Sequence, residues 1–191
     1  MDNKKNLQAN SGFIPTPQRR LVWGFTLIEL LVVISVIGLL ASVVIISLNS
    51  SRIKTRDTVR KQTLKQLQKA LELYFDANGN YPIVSPYYSS EPGDVWPNGS
   101  GGNGDWIPGL SPNYVSKLPR DPLGGASTNP VCTPGGYKRA YYYRSLDGKE
   151  YKLYSHCGPE GSVNSDDPFY DPSRPTWAWM VCSGEPACST W

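Results

Sequence analysis

Nineteen consecutive residues, Leu30 to Leu48, carry no charge and consist of Leu, Val and Ile with scattered Ser, Gly and Ala. As a helix that run spans about 28 Å, close to the ~30 Å hydrocarbon core of a bilayer. A core helix of a soluble domain is the alternative, but the residues in front of the run argue against it. Of the 19 Lys+Arg and 16 Asp+Glu, residues 1–24 hold Lys4, Lys5, Arg19 and Arg20 against Asp2. The rest of the chain is therefore charge-balanced, so net charge gives no case for a nucleic-acid partner. A basic stretch before an apolar run is a targeting pattern. It predicts one membrane-spanning helix, with the N-terminus cytoplasmic and the C-terminal part exported.

Three kinds of processing are compatible with such a segment. Cleavage after the run needs a small-residue site, and "SLNSSR" is a poor one. A twin-arginine signal has only Arg19-Arg20 in its favour. Cleavage before the run leaves the helix on the mature protein. Glu29 separates these readings. A carboxylate at the start of a membrane segment is costly and marks a functional position, and neither a plain signal nor a plain anchor gains from it.

Gly24-Phe25-Thr26-Leu27-Ile28-Glu29, followed by the uncharged run, resembles the prepilin processing site of type IV pilins and of the pilin-like subunits (pseudopilins) of type II secretion systems. The resemblance implies that a prepilin peptidase/methyltransferase cuts between Gly24 and Phe25. Gly24 lets an extended backbone approach the protease closely. Phe25 becomes the N-methylated terminus. Glu29 then pairs with the α-amino group of a neighbouring subunit, which relieves a carboxylate in an apolar bundle and aligns the copies. The resemblance also implies that the helix unwinds locally near Gly38, the weakest helix former in the run. Its partners are other pilin subunits and an inner-membrane assembly platform, with the membrane as host before assembly. The leader, residues 1–24, is longer than many in these families.

No Pro occurs between Phe25 and Asn80. Beyond Leu48 the pattern turns amphipathic: Leu64, Leu67, Leu71 and Tyr74 are spaced by three, four and three, with Ala70 and Phe75 beside them. Asn78-Gly79-Asn80 supplies a stop. The spacing predicts one helix over about 25–77. The segment 70–82 also resembles the helix end of pseudopilins. Arg52, Lys54, Arg56, Arg60, Lys61, Lys65 and Lys69 face only Asp57 on that helix. DNA or lipid headgroups are one reading. A solvated face that also meets acidic neighbours in a filament is the preferred one, because the stretch lacks interleaved aromatics.

Residues 78–191 contain 15 Gly, 15 Pro and 17 aromatics. Gly and Pro approach the composition of disorder, but the aromatics do not. The reading is an ordered, loop-rich head held by disulfides, with "NGSGGNGD" (98–105) as a loop tip. "YKRAYYYRS" (137–145) and "EYKLYSH" (150–156) flank Asp147-Gly148 and predict a β-hairpin. "TWAWMVCS" (176–183) predicts a third strand with Trp177, Trp179 and Val181 on one face. Export and an even cysteine count favour two disulfides. Cys132–Cys157 with Cys182–Cys188 is preferred, and the other two connectivities stay open. "YVSKLPRDPLGG" (114–125) is a Pro-punctuated turn that resembles the LPxDP segment of many pseudopilins. Asp166, Asp167 and Asp171 do not match the calcium loop of major pseudopilins and read as a solvated loop. No metal, cofactor or catalytic residue is expected: His156 reads as a strand residue, and no Ser-His-Asp or Cys-His arrangement is present.

The expected fold is α+β and pilin-like, a long N-terminal helix packed on a small antiparallel sheet. Its parts are a leader (1–24), a membrane or filament-core half-helix (25–48), an amphipathic half-helix (49–78) and a β-rich head (79–191). The expected function is a structural subunit of a type IV pilus or pseudopilus. The alternative is a minor tip subunit whose aromatic head binds DNA, a surface or a secreted protein. The expected location is the inner membrane, then an extracytoplasmic filament.

Overall fold

The structure is a computed structural model that describes residues 24–94, 105–125 and 138–191. Its elements are α1 (Leu27–Asn78), β1 (Val84–Ser89), β2 (Ala140–Ser145), β3 (Lys152–His156), β4 (Ala178–Cys182) and a short α2 (Ala187–Thr190). The chain forms two compact units, Met1–Val44 and Ile45–Trp191.

α1 begins and ends with local chemistry. Thr26 precedes its first residue, and Thr26 and Glu29 cap each other's backbone N–H groups, as a Thr-x-x-Glu box does. At the other end Gly79 takes a left-handed conformation (φ 73°) and its N–H donates to the Phe75 carbonyl at 2.7 Å. That closes the helix with the glycine-terminated cap that Asn78-Gly79 announces.

The Ile45–Trp191 unit has one four-stranded antiparallel sheet in the order β1-β2-β3-β4. The β2–β3 hairpin turns at Asp147-Gly148, where Gly148 has φ 79° and the Lys149 N–H donates to the Asp147 carboxylate. Strand alternation gives the sheet two apolar faces. Tyr141, Tyr143, Leu153, Trp179 and Val181 share one core with Leu64, Leu67, Ala70 and Leu71 of α1. Tyr74 and Phe75 pack at the margin of that core. Ala140, Tyr142, Tyr154, Ala178 and Met180 form a second core on the other face with Tyr87. Leu67 is fully inside the first core (1% exposed). Leu67→Ala therefore lowers head stability by about 2–5 kcal/mol, the range for a buried large-to-small change; a urea melt of the purified chain in detergent measures it.

Two readings of the head need correction. Trp177 precedes β4 and packs on the second core, away from Trp179 and Val181. β1 has no counterpart in the strand readings, because Pro86 interrupts Val84–Ser89 and a strand signal is weakest where Pro falls. It is one edge of the sheet, and its pairing with β2 shifts register between Val84 and Tyr88. Cys182 and Cys188 form a disulfide that ties β4 to α2. Cys132 and most of the 98–105 loop lie outside the described residues.

Candidate functional site

The first region of interest is the start of α1. Gly24, Phe25 and Thr26 precede the helix and are exposed, Phe25 at 82%. The Thr26 backbone N–H and hydroxyl both donate to Glu29 Oε2, at 3.0 and 2.8 Å, and the Thr26 hydroxyl accepts from the Glu29 N–H at 3.2 Å. The carboxylate thus sits back over the first turn, where orphan N–H groups and the helix dipole favour negative charge. The polar group that looks out of place in an apolar run has a local reason to be there.

Further along, the large apolar side chains from Leu27 to Ile45, and that of Leu48, are exposed among the described residues. The helix passes the length and hydropathy requirements for a membrane span. A face this apolar must be covered by lipid or by other helices. Ser35 and Ser42 donate back to the carbonyls of Val32 and Leu39 at 2.8 and 2.7 Å, so their hydroxyls are satisfied without a partner helix. A Cβ built at Gly38 meets nothing within 4 Å, leaving a smooth spot between them.

The second region locks the amphipathic half of α1 to the head. Arg60 is fully buried. Its Nε and Nη2 donate to the two oxygens of Asp121 at 2.7 and 2.9 Å, a bidentate pair with both side chains at 0% exposure. Its Nη1 reaches Asp57 at 2.9 Å and Glu160 at 2.6 Å. Arg56 also pairs with Glu160, Nε to Oε1 at 2.7 Å. Asp57 accepts the backbone N–H groups of Glu160 and Gly161 at 3.2 and 3.0 Å. Burial works against the Arg60 charge, but Asp121 and Glu160 outweigh it and raise its pKa. Burial likewise works against the Glu160 carboxylate, yet hydrogen bonds from Arg56 and Arg60 bring it down to about 2.

This corrects the reading of the basic helix face. Arg56, Arg60 and Lys61 pair inside the head, while Arg52, Lys54, Lys65 and Lys69 stay exposed. Lys61 pairs with Asp167 and stands 4.4 Å from the Trp179 ring centre. The acidic loop needs the same correction. Asp166 is exposed, but Asp167 is half-buried, and Asp171 is buried against Lys152 at 2.9 Å and Arg174 at 3.3 Å. These carboxylates balance cations of the head. The Arg60–Asp121 pair was missed at the sequence level, although a signal existed: Arg60 lies four residues before Leu64, on the same stripe that is buried. Asp121 is the Asp of the Leu118-Pro119-Arg120-Asp121-Pro122 turn, so that turn presents the carboxylate to the helix. His156 lies in β3 as expected, buried near the rings of Tyr142 and Trp177, each centred 4.9 Å away.

Together these features define a class: an α+β protein whose bare apolar helix requires lipid or other subunits. The chain is similar to the type II secretion system core protein G of Pseudomonas aeruginosa, 36% identical over 136 residues that cover 70% of this chain and 89% of that protein. It is 29% identical to core protein G of Aeromonas hydrophila over 144 residues, 69% of this chain and 88% of that one. The type IV wide pilus major component PilA4 of Thermus thermophilus is 45% identical over 77 residues, 38% of this chain and 59% of its own. No protein-family model and no solved structure matches. The chain belongs to the type IV pilin and type II secretion pseudopilin family. It is a membrane-anchored structural subunit of a filament and not an enzyme.

Proposed function

We propose that the chain serves as a pseudopilus subunit of a secretion-type system, matured by removal of residues 1–24 and assembled through α1. The likeness to core protein G runs over most of the chain, whereas the likeness to PilA4 runs over 77 residues. That difference favours a secretion pseudopilus over a pilus. The observation that supports the reading is an exposed Gly24-Phe25 in front of an apolar helix whose large side chains are left exposed among the described residues. A prepilin peptidase/methyltransferase cuts after Gly24 and methylates Phe25. The subunit waits in the inner membrane with its N-terminus cytoplasmic and its head exported. An assembly platform there then extracts it into the filament, and Gly38 is where α1 loosens as copies pack.

Glu29 has a defined task in this scheme. While the leader is attached, its carboxylate is occupied by Thr26. Cleavage creates a cationic amine at Phe25, and in the filament the amine of an adjacent copy becomes a partner for Glu29. Breaking such a pair in an apolar bundle costs about 3–5 kcal/mol. The test is intact-mass and N-terminal peptide analysis of the chain from its own membrane fraction, alongside Glu29→Leu. The expected result is a chain that starts at Phe25 and is one methyl group heavier there, with the variant cleaved but absent from sheared filaments. A chain cut after Leu48, or left uncut, overturns the processing scheme. Normal filaments from Glu29→Leu overturn the role of Glu29.

A further inference from the structure

Where the apolar run ends, α1 carries cations without acids. Residues 30–56 contain no Asp or Glu, and Asp57 is the first carboxylate after Glu29. Three cations fall just past Leu48: Arg52, Lys54 and Arg56. Arg56 is taken by Glu160 of the head. Arg52 and Lys54 are exposed, and neither forms an ion pair among the described residues. The hydroxyls around them turn inward. Ser51 donates to the Ser47 carbonyl at 3.0 Å, Thr55 to Ser51 at 2.9 Å and Thr58 to Lys54 at 2.8 Å. That turn of helix therefore presents two charges to its surroundings and little else.

Their height is set by the chain. Arg52 is four residues and Lys54 six residues beyond Leu48, about 6 and 9 Å along the axis. The headgroup layer of a bilayer extends about 5–7 Å beyond its hydrocarbon core. Long basic side chains reach back over such a distance with their charge in the polar layer. Two residues also rotate about 200° around a helix, so Arg52 and Lys54 point to opposite sides. A protein surface or a DNA duplex approaches from one side and meets one of them. Lipids surround the helix and meet both.

We infer that Arg52 and Lys54 form a headgroup site, binding the phosphates of anionic phospholipids in the leaflet on the head side of the span. The inference rests on the membrane-span reading of α1, which supplies the depth. Opposite charge supplies the attraction, since basic residues next to a span favour anionic lipid over zwitterionic lipid. The contact fixes how deep the helix sits before assembly, and it breaks when the helix leaves the bilayer.

The test uses full-length chain in neutral detergent, offered equal amounts of phosphatidylglycerol and phosphatidylcholine, with native mass spectrometry counting each lipid on the chain. Arg52→Gln with Lys54→Gln lowers the ratio of bound phosphatidylglycerol to phosphatidylcholine about tenfold. Lys65→Gln with Lys69→Gln makes the same change in charge at exposed positions about 25 and 31 Å beyond Leu48, and keeps the wild-type ratio. The leader's cations are common to all three chains. Because all four residues are exposed, the urea midpoints stay at the wild-type value. Added salt lowers the wild-type preference. An unchanged ratio in the Arg52 and Lys54 variant, or an equal loss in the Lys65 and Lys69 variant, overturns the site. A short DNA duplex bound by wild type and not by the Arg52 and Lys54 variant, with no lipid preference in either, overturns it in favour of DNA. A wild-type chain that does not float with reconstituted vesicles overturns the membrane-span reading itself.

Discussion

Asp121→Ala destabilises the head by about 3–5 kcal/mol, the range for removing one partner of a buried ion pair. The reason is the state in which it leaves Arg60. The guanidinium is fully buried, and two of its nitrogens point at the carboxylate that is gone. Asp57 and Glu160 hold only Nη1. The Leu123 N–H, which donates to Asp121 at 2.9 Å, loses its acceptor as well. A urea melt of the detergent-solubilised chain measures the change. Replacing both partners with Arg60→Met and Asp121→Leu costs much less than Asp121→Ala, because no buried charge is then stranded. A single Asp121→Ala near zero would mean that Arg60 escapes to solvent. Gly158 argues against that escape, since a Cβ there would lie 2.0 Å from Ser155 Oγ and 3.2 Å from Arg60 Cδ. The site is packed tightly around the arginine.

Acid weakens the head in two steps. Burial holds His156 neutral and, with Arg174 nearby, brings its pKa down to about 3. The unfolded chain binds that proton near pH 6.5. Stability is therefore full above pH 6.5 and falls as pH drops toward 3, by about 3 kcal/mol at pH 4. Glu160 adds a second loss lower down. Its folded pKa of about 2 lies below the ordinary carboxylate value of 4.5. Its contribution is present above pH 4.5 and disappears as pH falls through 2, worth about 1–2 kcal/mol after solvent screening. Urea midpoints at pH 7.5, 5.5 and 4 measure the first step. His156→Phe, which keeps a ring beside Tyr142 and Trp177, flattens the profile over that interval. A His156→Phe profile as steep as wild type removes the histidine from the account.

Much of the helix was legible because its information is local. The apolar run, the absence of Pro and the Asn78-Gly79 stop each act within a few residues, and α1 ends one residue from the expected point. The stripe Leu64, Leu67, Leu71 also declared its buried side through spacing alone. β2, β3 and β4 were readable for the same reason, since Tyr-rich alternation and Asp147-Gly148 are local signals. β1 was not, because its pairing with β2 joins partners as far apart as Val84 and Ser145 and Pro86 weakens its own signal.

Charge shows the division most clearly. The sequence by itself determined that a basic stretch precedes a membrane-length helix, that Glu29 stands at its head, and that cations crowd residues 52–69. Periodicity and composition settle these because the solvent responds to them directly. Which cations stay in water was decided only by the tertiary structure. Arg60 and Lys69 look alike in the chain, yet one is sealed against Asp121, Asp57 and Glu160 and the other is exposed. The partners lie up to a hundred residues away, on loops whose own local signals say only "turn". Closing those loops against the helix costs chain entropy, which buried apolar area and paired charge must offset together. That balance belongs to the whole head and to no single stretch of sequence.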